Sequence, residues 1–369
     1  MFAGAALTDL PAFDILTLST FPLVFNYQSL ITLFRRGAMV FRALALAFSL
    51  MLLFPAGAMA AAKWNMKFGH DMPEDSAQHV AALKYAELVK ERTKGQVEVK
   101  VFPAQQLGTD PEMVQQAQMG TLEIVLPPTA KISGFAPALQ LADLPFLFPT
   151  KGICYQVLDG PVGDKLLAML ESKGLKGVSF WESGFKQMTA NKPIRKPEDF
   201  AGMKVRVMES PILIAQYKQV KANPIPIDFA ETYNALQQGV VEAQENPLVS
   251  IVNMKFYEVQ KYTMLSNHGF LGYAFLFSKK VYDGLPADIQ KIMRDTAREL
   301  ASFERQDTAR REGGYVERIK KGGSQIVEFT PQEVQAFSKA FLPVHKQFEK
   351  VVGEELLKEA YAHIEKLRK

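Results

Sequence analysis

Phe200-Ala-Gly-Met-Lys-Val-Arg-Val-Met-Glu-Ser-Pro211 is the stretch that organises this chain. Met203, Val205 and Val207 alternate with Lys204, Arg206 and Met208, which predicts a strand, and Pro211 ends it. A strand this apolar buries one face, and Arg206 lies on the other. Arg206 then stands on a rigid element with a guanidinium that keeps its charge. Its planar fork suits a carboxylate held by two parallel bonds. Two readings stay open from spacing alone: a pair with an Asp or Glu of the same chain, or a grip on a bound acid.

Outward from that strand the chain reads as alternating strands and helices. Upstream, Trp64–Phe68 alternates as a strand, and Ser76 caps a helix running to about Thr93. Val97–Phe102 is a second strand. Asp110-Pro111 is a cap and first-turn proline, and Leu122–Leu126 is a third strand. This strand–helix rhythm belongs to a parallel α/β sheet. Leu139–Phe148 reads as a buried connection, Gly177–Trp181 and Lys186–Ala190 as two further strands. Downstream, Asp228-Phe-Ala-Glu231 reads as a capping box, Glu242–Glu245 as a short strand, and Tyr273–Ser278 as another. Pro286 to Lys321 keeps helical apolar spacing with no interior proline, a helix roughly 50 Å long that is suited to brace two domains. Thr330-Pro-Gln-Glu333 opens the helical C-terminal part, which breaks at Gly353.

The chain has 369 residues, 48% of them hydrophobic and 22% charged, with a formal net charge of +4. That balance is globular, and no Lys/Arg block with interleaved aromatics points to nucleic acid. A single cysteine, Cys154, excludes an intrachain disulfide and a cysteine-based metal site, and reads as a buried small hydrophobe. Near the start, Arg35, Arg36 and Arg42 precede the apolar run Ala43–Phe54, then Pro55-Ala-Gly-Ala-Met-Ala60. This is the layout of a secretory signal cleaved near Ala60, with an uncleaved anchor as the alternative. The apolar run is short for a bilayer span. A signal would be complete from Met39, so residues 1–38 are either an extended leader or precede the true start.

No metal-binding, nucleophile or phosphate-loop motif is present. Of the five histidines, His345 and His363 read as surface residues of polar helices, as does His79 on its helix. His70 and His268 fall in loops after strands, where α/β proteins place ligand groups. Asn246, in Gly239–Pro247, reads as a residue at a helix N-terminus, either a plain cap or an anion-facing donor. Lys186 starts a strand beyond the Gly184 turn, where a lysine is ordinarily exposed.

Five motifs stand in order: Phe102-Pro-x-x-Gln-Leu-Gly108, Asp199-Phe-x-Gly-Met-Lys-Val-Arg206, Asp228-Phe-x-Glu-x-Tyr-x-Ala-Leu-Gln-x-Gly239, Gln244-Glu-Asn-Pro247 and Lys255-Phe-Tyr-Glu-Val-Gln-Lys261. With them the chain, from about Lys63 to about Leu367, resembles the DctP-type substrate-binding proteins of TRAP transporters (tripartite ATP-independent periplasmic systems). The resemblance implies an α/β, two-domain periplasmic-binding-protein-like fold with a ligand cleft between the domains and a long bridging helix. It implies a non-enzymatic protein without cofactor or metal, which captures a small organic acid in the periplasm and delivers it to membrane permease subunits. The expected division is a leader over 1–60, one domain of 61–183 plus about 271–308, and a second of 184–270 plus about 309–369. The resemblance assigns the carboxylate clamp to Arg206, a ligand-contacting amide to Asn246, a packing aromatic to Phe229 and a polar contact to His70. Lys186, Trp181, His268 and Met208 complete the expected binding set.

Two departures matter. The family commonly carries a second Arg at the position of Lys186, and a lysine keeps the charge without the fork. Where sialic-acid binders carry a Glu, this chain reads Pro127-Pro-Thr129, which argues against that ligand. Nothing in the sequence calls for more than a monomer. A binding protein of the same fold that serves a sensor or another transporter class is the alternative.

Overall fold

The strand–helix rhythm is realised in the computed structural model, which describes residues 62–368; the leader and signal expectations fall outside them. Strands β1 (Trp64–His70), β2 (Val97–Phe102) and β3 (Ile124–Leu126) alternate with helices α1 (Ala77–Arg92) and α2 (Asp110–Met119). β1 pairs in parallel with both β2 and β3, so their C-terminal ends share one edge. Local chemistry sets the helix starts. Ser76 accepts from the His79 backbone N–H ahead of α1. α2 begins one residue earlier than the Asp-Pro reading has it: Thr109 is the cap, and its N–H donates to Glu112 at 2.8 Å.

The largest departure from the sequence reading is β4 (Leu175–Ala190). The two strands expected at 177–181 and 186–190 are one strand, bent at Gly184 where φ is +110°. Its first part runs antiparallel to β9 (Phe270–Ser278), with register shifts beside Gly177 and Gly184; β9 also pairs antiparallel with β3. Its last part, Lys186–Ala190, runs antiparallel to β7 (Ala243–Pro247) and β8 (Tyr262–Leu265). β7 continues in parallel to β5 (Lys204–Val207) and β5 to β6 (Asn223–Pro226), while β10 (Gln325–Glu328) pairs with β8. The path β2-β1-β3-β9-β4-β7-β5-β6 thus passes through β4 and β9 at its centre.

The remaining helices are α3 (Lys151–Leu158), α4 (Pro161–Met169), α5 (Pro211–Gln219), α6 (Thr232–Gln237), α7 (Leu248–Asn253), α8 (Phe256–Val259), α9 (Lys279–Asp283), α10 (Ala287–Lys321), α11 (Pro331–Val352) and α12 (Glu354–Arg368). The 35-residue α10 matches the expected long helix and packs on α1, β4, α7 and β10. The Thr330 box caps α11, its N–H reaching Glu333 at 2.7 Å. The expected box at Asp228 does not form. Asp228 accepts from the Ala230 N–H at 3.1 Å, and α6 begins at Thr232. His345 is a buried residue and not a surface one, because its ring nitrogens meet the Tyr361 hydroxyl at 2.6 Å and the Pro145 carbonyl at 2.7 Å. His79 is buried too, against His70. Cys154 lies in the core as expected. No helix among the described residues is long and apolar enough to cross a membrane.

Candidate functional site

β5 carries Val205 and Val207 fully buried, and Arg206 between them is 1% exposed. Both faces of this strand are covered, so the guanidinium lies deeper than one buried face requires. Its Nε donates to the Ile227 carbonyl at 2.9 Å, and its Nη2 is buried with no hydrogen-bond partner. Among the described residues it makes no ion pair within 4.0 Å, so pairing within the chain is not realised there. Burial draws its pKa down to about 10, against the pull of Asp228, Glu245 and Asp71 nearby. A buried cation with an unused donor is costly to keep, and an anion is what resolves it.

Two strands away, Lys186 is also 1% exposed and not the exposed lysine expected from its turn. The register explains why. Lys186 sits opposite Pro247, so Glu245 is its diagonal neighbour on the same face. Its Nζ meets Glu245 Oε1 at 2.9 Å. The other oxygen of Glu245 meets His268 Nε2 at 2.6 Å and accepts from the Tyr217 hydroxyl at 3.0 Å. His268 Nδ1 in turn meets Ser266 Oγ at 2.7 Å. Burial would raise the Glu245 carboxyl, but Lys186 and His268 overcome it and hold Glu245 well below the usual carboxylate range.

Asn246 lies inside β7 and not at a helix start; α7 begins at Leu248 behind Pro247. A dipole argument for Asn246 therefore does not apply. It shares a sheet face with Arg206, because Arg206 pairs with Gln244 and the Asn246 amide donates to Gln244 at 2.6 Å. His70 ends β1 fully buried, its Nε2 3.1 Å from His79 Nδ1; burial and that neighbour bring its pKa down to about 3, so it is neutral. Phe229 and Met208 are buried at the ends of β6 and β5, Phe229 edge-on to Phe256. Trp181 does not join the group. Its indole N–H donates to Ala297 of α10 at 3.0 Å and its ring packs on Phe275 in the core.

Sequence reasoning missed the opposite wall. Lys131 Nζ lies 2.7 Å from Asp110 and 2.9 Å from Asp228, joining the β3 side of the site to the β6 side. Asp71, just after β1, accepts from the Tyr273 hydroxyl at 3.4 Å and leaves Oδ1 without a partner. Thr129 Oγ1 and both oxygens of Asp143 are likewise buried with no hydrogen bond within 3.5 Å, though Thr129 stands near enough to Asp143 to act on its carboxyl. The polar residues at strand ends were the only signal for this wall, since its contacts span long stretches of chain. Among the described residues no group of His, Cys, Asp and Glu is arranged to hold a metal ion.

Residues 68–351 match the family described as bacterial extracellular solute-binding protein, family 7. The C4-dicarboxylate-binding periplasmic protein DctP of Rhodobacter capsulatus is 35% identical over 315 residues, 85% of this chain and 94% of that protein. Among solved structures, a TRAP periplasmic solute-binding protein of Sulfurospirillum deleyianum with bound succinate is 38% identical, with a TM-score of 0.78 over 82% of this chain and 99% of that one. The sugar acid binding protein of Advenella mimigardefordensis in complex with galactonate is 33% identical, with a TM-score of 0.80 over 83% of this chain and 99% of that one. The chain belongs to the family 7 bacterial extracellular solute-binding proteins, the DctP type of TRAP systems.

Proposed function

We propose that this protein captures a small organic acid outside the cytoplasm and delivers it to the membrane permease subunits of a TRAP transporter, without transforming it. The observation that carries this reading is the buried Arg206 guanidinium with Nη2 unpartnered. Asn246 stands on the same sheet face, and Phe229 and Met208 keep water from that end. Relatives that bind a C4-dicarboxylate, succinate or galactonate support the ligand class. Export to the periplasm rests on the Ala43–Ala60 signal pattern and on the family's location. The change of β4 partners after Phe185 and the start of β9 at Phe270 support domain boundaries near 184 and 270. Packing of α12 on α3 and α4 favours assigning that last helix to the first domain. Closure of the two domains would bury the acid, and the closed form would be what the permease reads.

Titration calorimetry of the purified protein against organic acids, beside the Arg206→Ala variant, tests the reading. One or more carboxylates should bind to the native protein and lose most of their affinity in the variant. A neutral ligand bound equally by both proteins would end the clamp assignment.

A further inference from the structure

Resting on the Arg206 clamp, we infer that the cargo is a hydroxy monocarboxylate whose hydroxyl, near the carboxylate, is read by Asp71, and that an unsubstituted dicarboxylate is a poor ligand. The first support is a count of uncommitted charges. Three buried cations lie on or beside the strands of the site: Arg206, Lys131, and Lys186 on the opposite face of β7 from Arg206. Lys186 is held by Glu245 at 2.9 Å, and Lys131 by Asp110 at 2.7 Å and Asp228 at 2.9 Å. Arg206 alone has no carboxylate partner among the described residues. The site therefore offers one guanidinium, enough for one carboxylate, while the charges that act on it are those of Asp228, Glu245 and Asp71. A second ligand carboxylate would meet acids.

The second support is the set of oxygens left unanswered. Asp71 is 4% exposed and follows β1; Thr129 is fully buried and follows β3. Because β1 and β3 are parallel neighbours, with His70 opposite Leu126, the two residues stand at the same edge. Asp71 Oδ1 lacks a partner, and Thr129 Oγ1 has only the Asp143 carboxyl near it, with no hydrogen bond within 3.5 Å. Tyr273, adjacent to both through the Pro128 bridge, already donates to the other Asp71 oxygen. Burial and nearby Asp110 push the Asp71 carboxyl up, against Lys131. A hydroxyl both donates and accepts, so it suits Asp71 in either protonation state. An ammonium is opposed there, because Arg206 and Lys131 both lie in the field of Asp71.

The test is calorimetry on the native protein with C4–C6 aldonates, the matching unsubstituted monocarboxylates, C4–C6 dicarboxylates and α-amino acids. The tightest ligand should be an aldonate, about ten- to a hundred-fold tighter than its deoxy counterpart. Asp71→Ala should shrink that ratio about tenfold and leave the deoxy acid little changed, and Asp71→Asn, which keeps an acceptor, should restore part of it. A general loss of structure would weaken both acids alike. A dicarboxylate, amino acid or deoxy acid that binds tightest, and is lost in Arg206→Ala, overturns the hydroxyl reading and keeps the clamp. Should the Asp71 variants not fold, the native ranking decides alone. Tight binding of a neutral sugar unaffected by Arg206→Ala, or no acid bound at all, overturns the clamp and this inference together.

Discussion

Arg206 and Lys186 are each 1% exposed, on strands separated only by β7, yet the chain treats their charges in opposite ways. Around Lys186 the protein supplies Glu245 as counter-charge, and it fixes that carboxylate in turn with His268 and Tyr217, with Ser266 behind His268. Around Arg206 it supplies one carbonyl and several acids at a distance. Burial by itself therefore does not mark a functional cation. The proposed role of Arg206 rests on burial without an answer from the same chain, since an unmatched charge in a low dielectric is costly unless something else meets it.

The contrast yields graded expectations. Lys186→Met should lower stability most, by about 3–5 kcal/mol in denaturant melts, because it leaves Glu245 buried without its cation. Adding Glu245→Leu to that variant should recover most of the loss. A single variant as stable as the native protein would mean that His268 and Tyr217 suffice for Glu245. Arg206→Ala should cost about 2–5 kcal/mol in affinity for the bound acid. Its ligand-free melting temperature should stay level or rise. A marked fall there would make Arg206 a framework residue like Lys186, and the contrast would collapse.

Protonation gives the next handle. Burial pushes Asp143 up from an ordinary 3.8 to about 7, against Lys186, so the folded state holds this proton more tightly than the unfolded one. The associated stability is present below the ordinary value and is lost as pH rises through about 7. Ligand-free melts from pH 5 to about pH 8 should decline for this reason, with Asp143→Asn flattening the slope. An unchanged slope in the variant would assign the decline to another group, with Glu304, raised to about 8 by burial and Glu182, the next to replace. The smallest effect belongs to Asp228→Asn. Lys131 retains Asp110 there, and the Asp228 side chain is 28% exposed, so the cost should stay within about 1 kcal/mol.

Much of the fold was legible in sequence because its cues are local. Alternation marked β1, β2 and β5, prolines and capping residues marked the helix starts, and unbroken spacing marked α10. Arg206 was legible for the same reason, since its place on a strand is written in its neighbours. The rest failed where the deciding partner is remote. Lys186 reads as exposed until the register brings Glu245 beside it, and His345 until Pro145 does. Trp181 reads as a ligand aromatic until Ala297 takes its indole N–H. Asn246 was misplaced because a strand and a helix start look alike over a few polar residues. The Asp71–Thr129 edge was half legible: the resemblance marked the His70 loop and Pro127–Thr129 separately, and they meet only once β1 and β3 lie side by side.

The single strand β4 has a consequence for how the molecule is made. The sheet begun by β1, β2 and β3 is joined to β4 through β9, and β9 ends at Ser278. The N-terminal sheet therefore cannot close until the segments carrying β5 to β8 have left the ribosome. Contacts so distant in sequence form slowly. Until then the free edge of the sheet of β1, β2 and β3 stays open for as long as the later segments take to emerge.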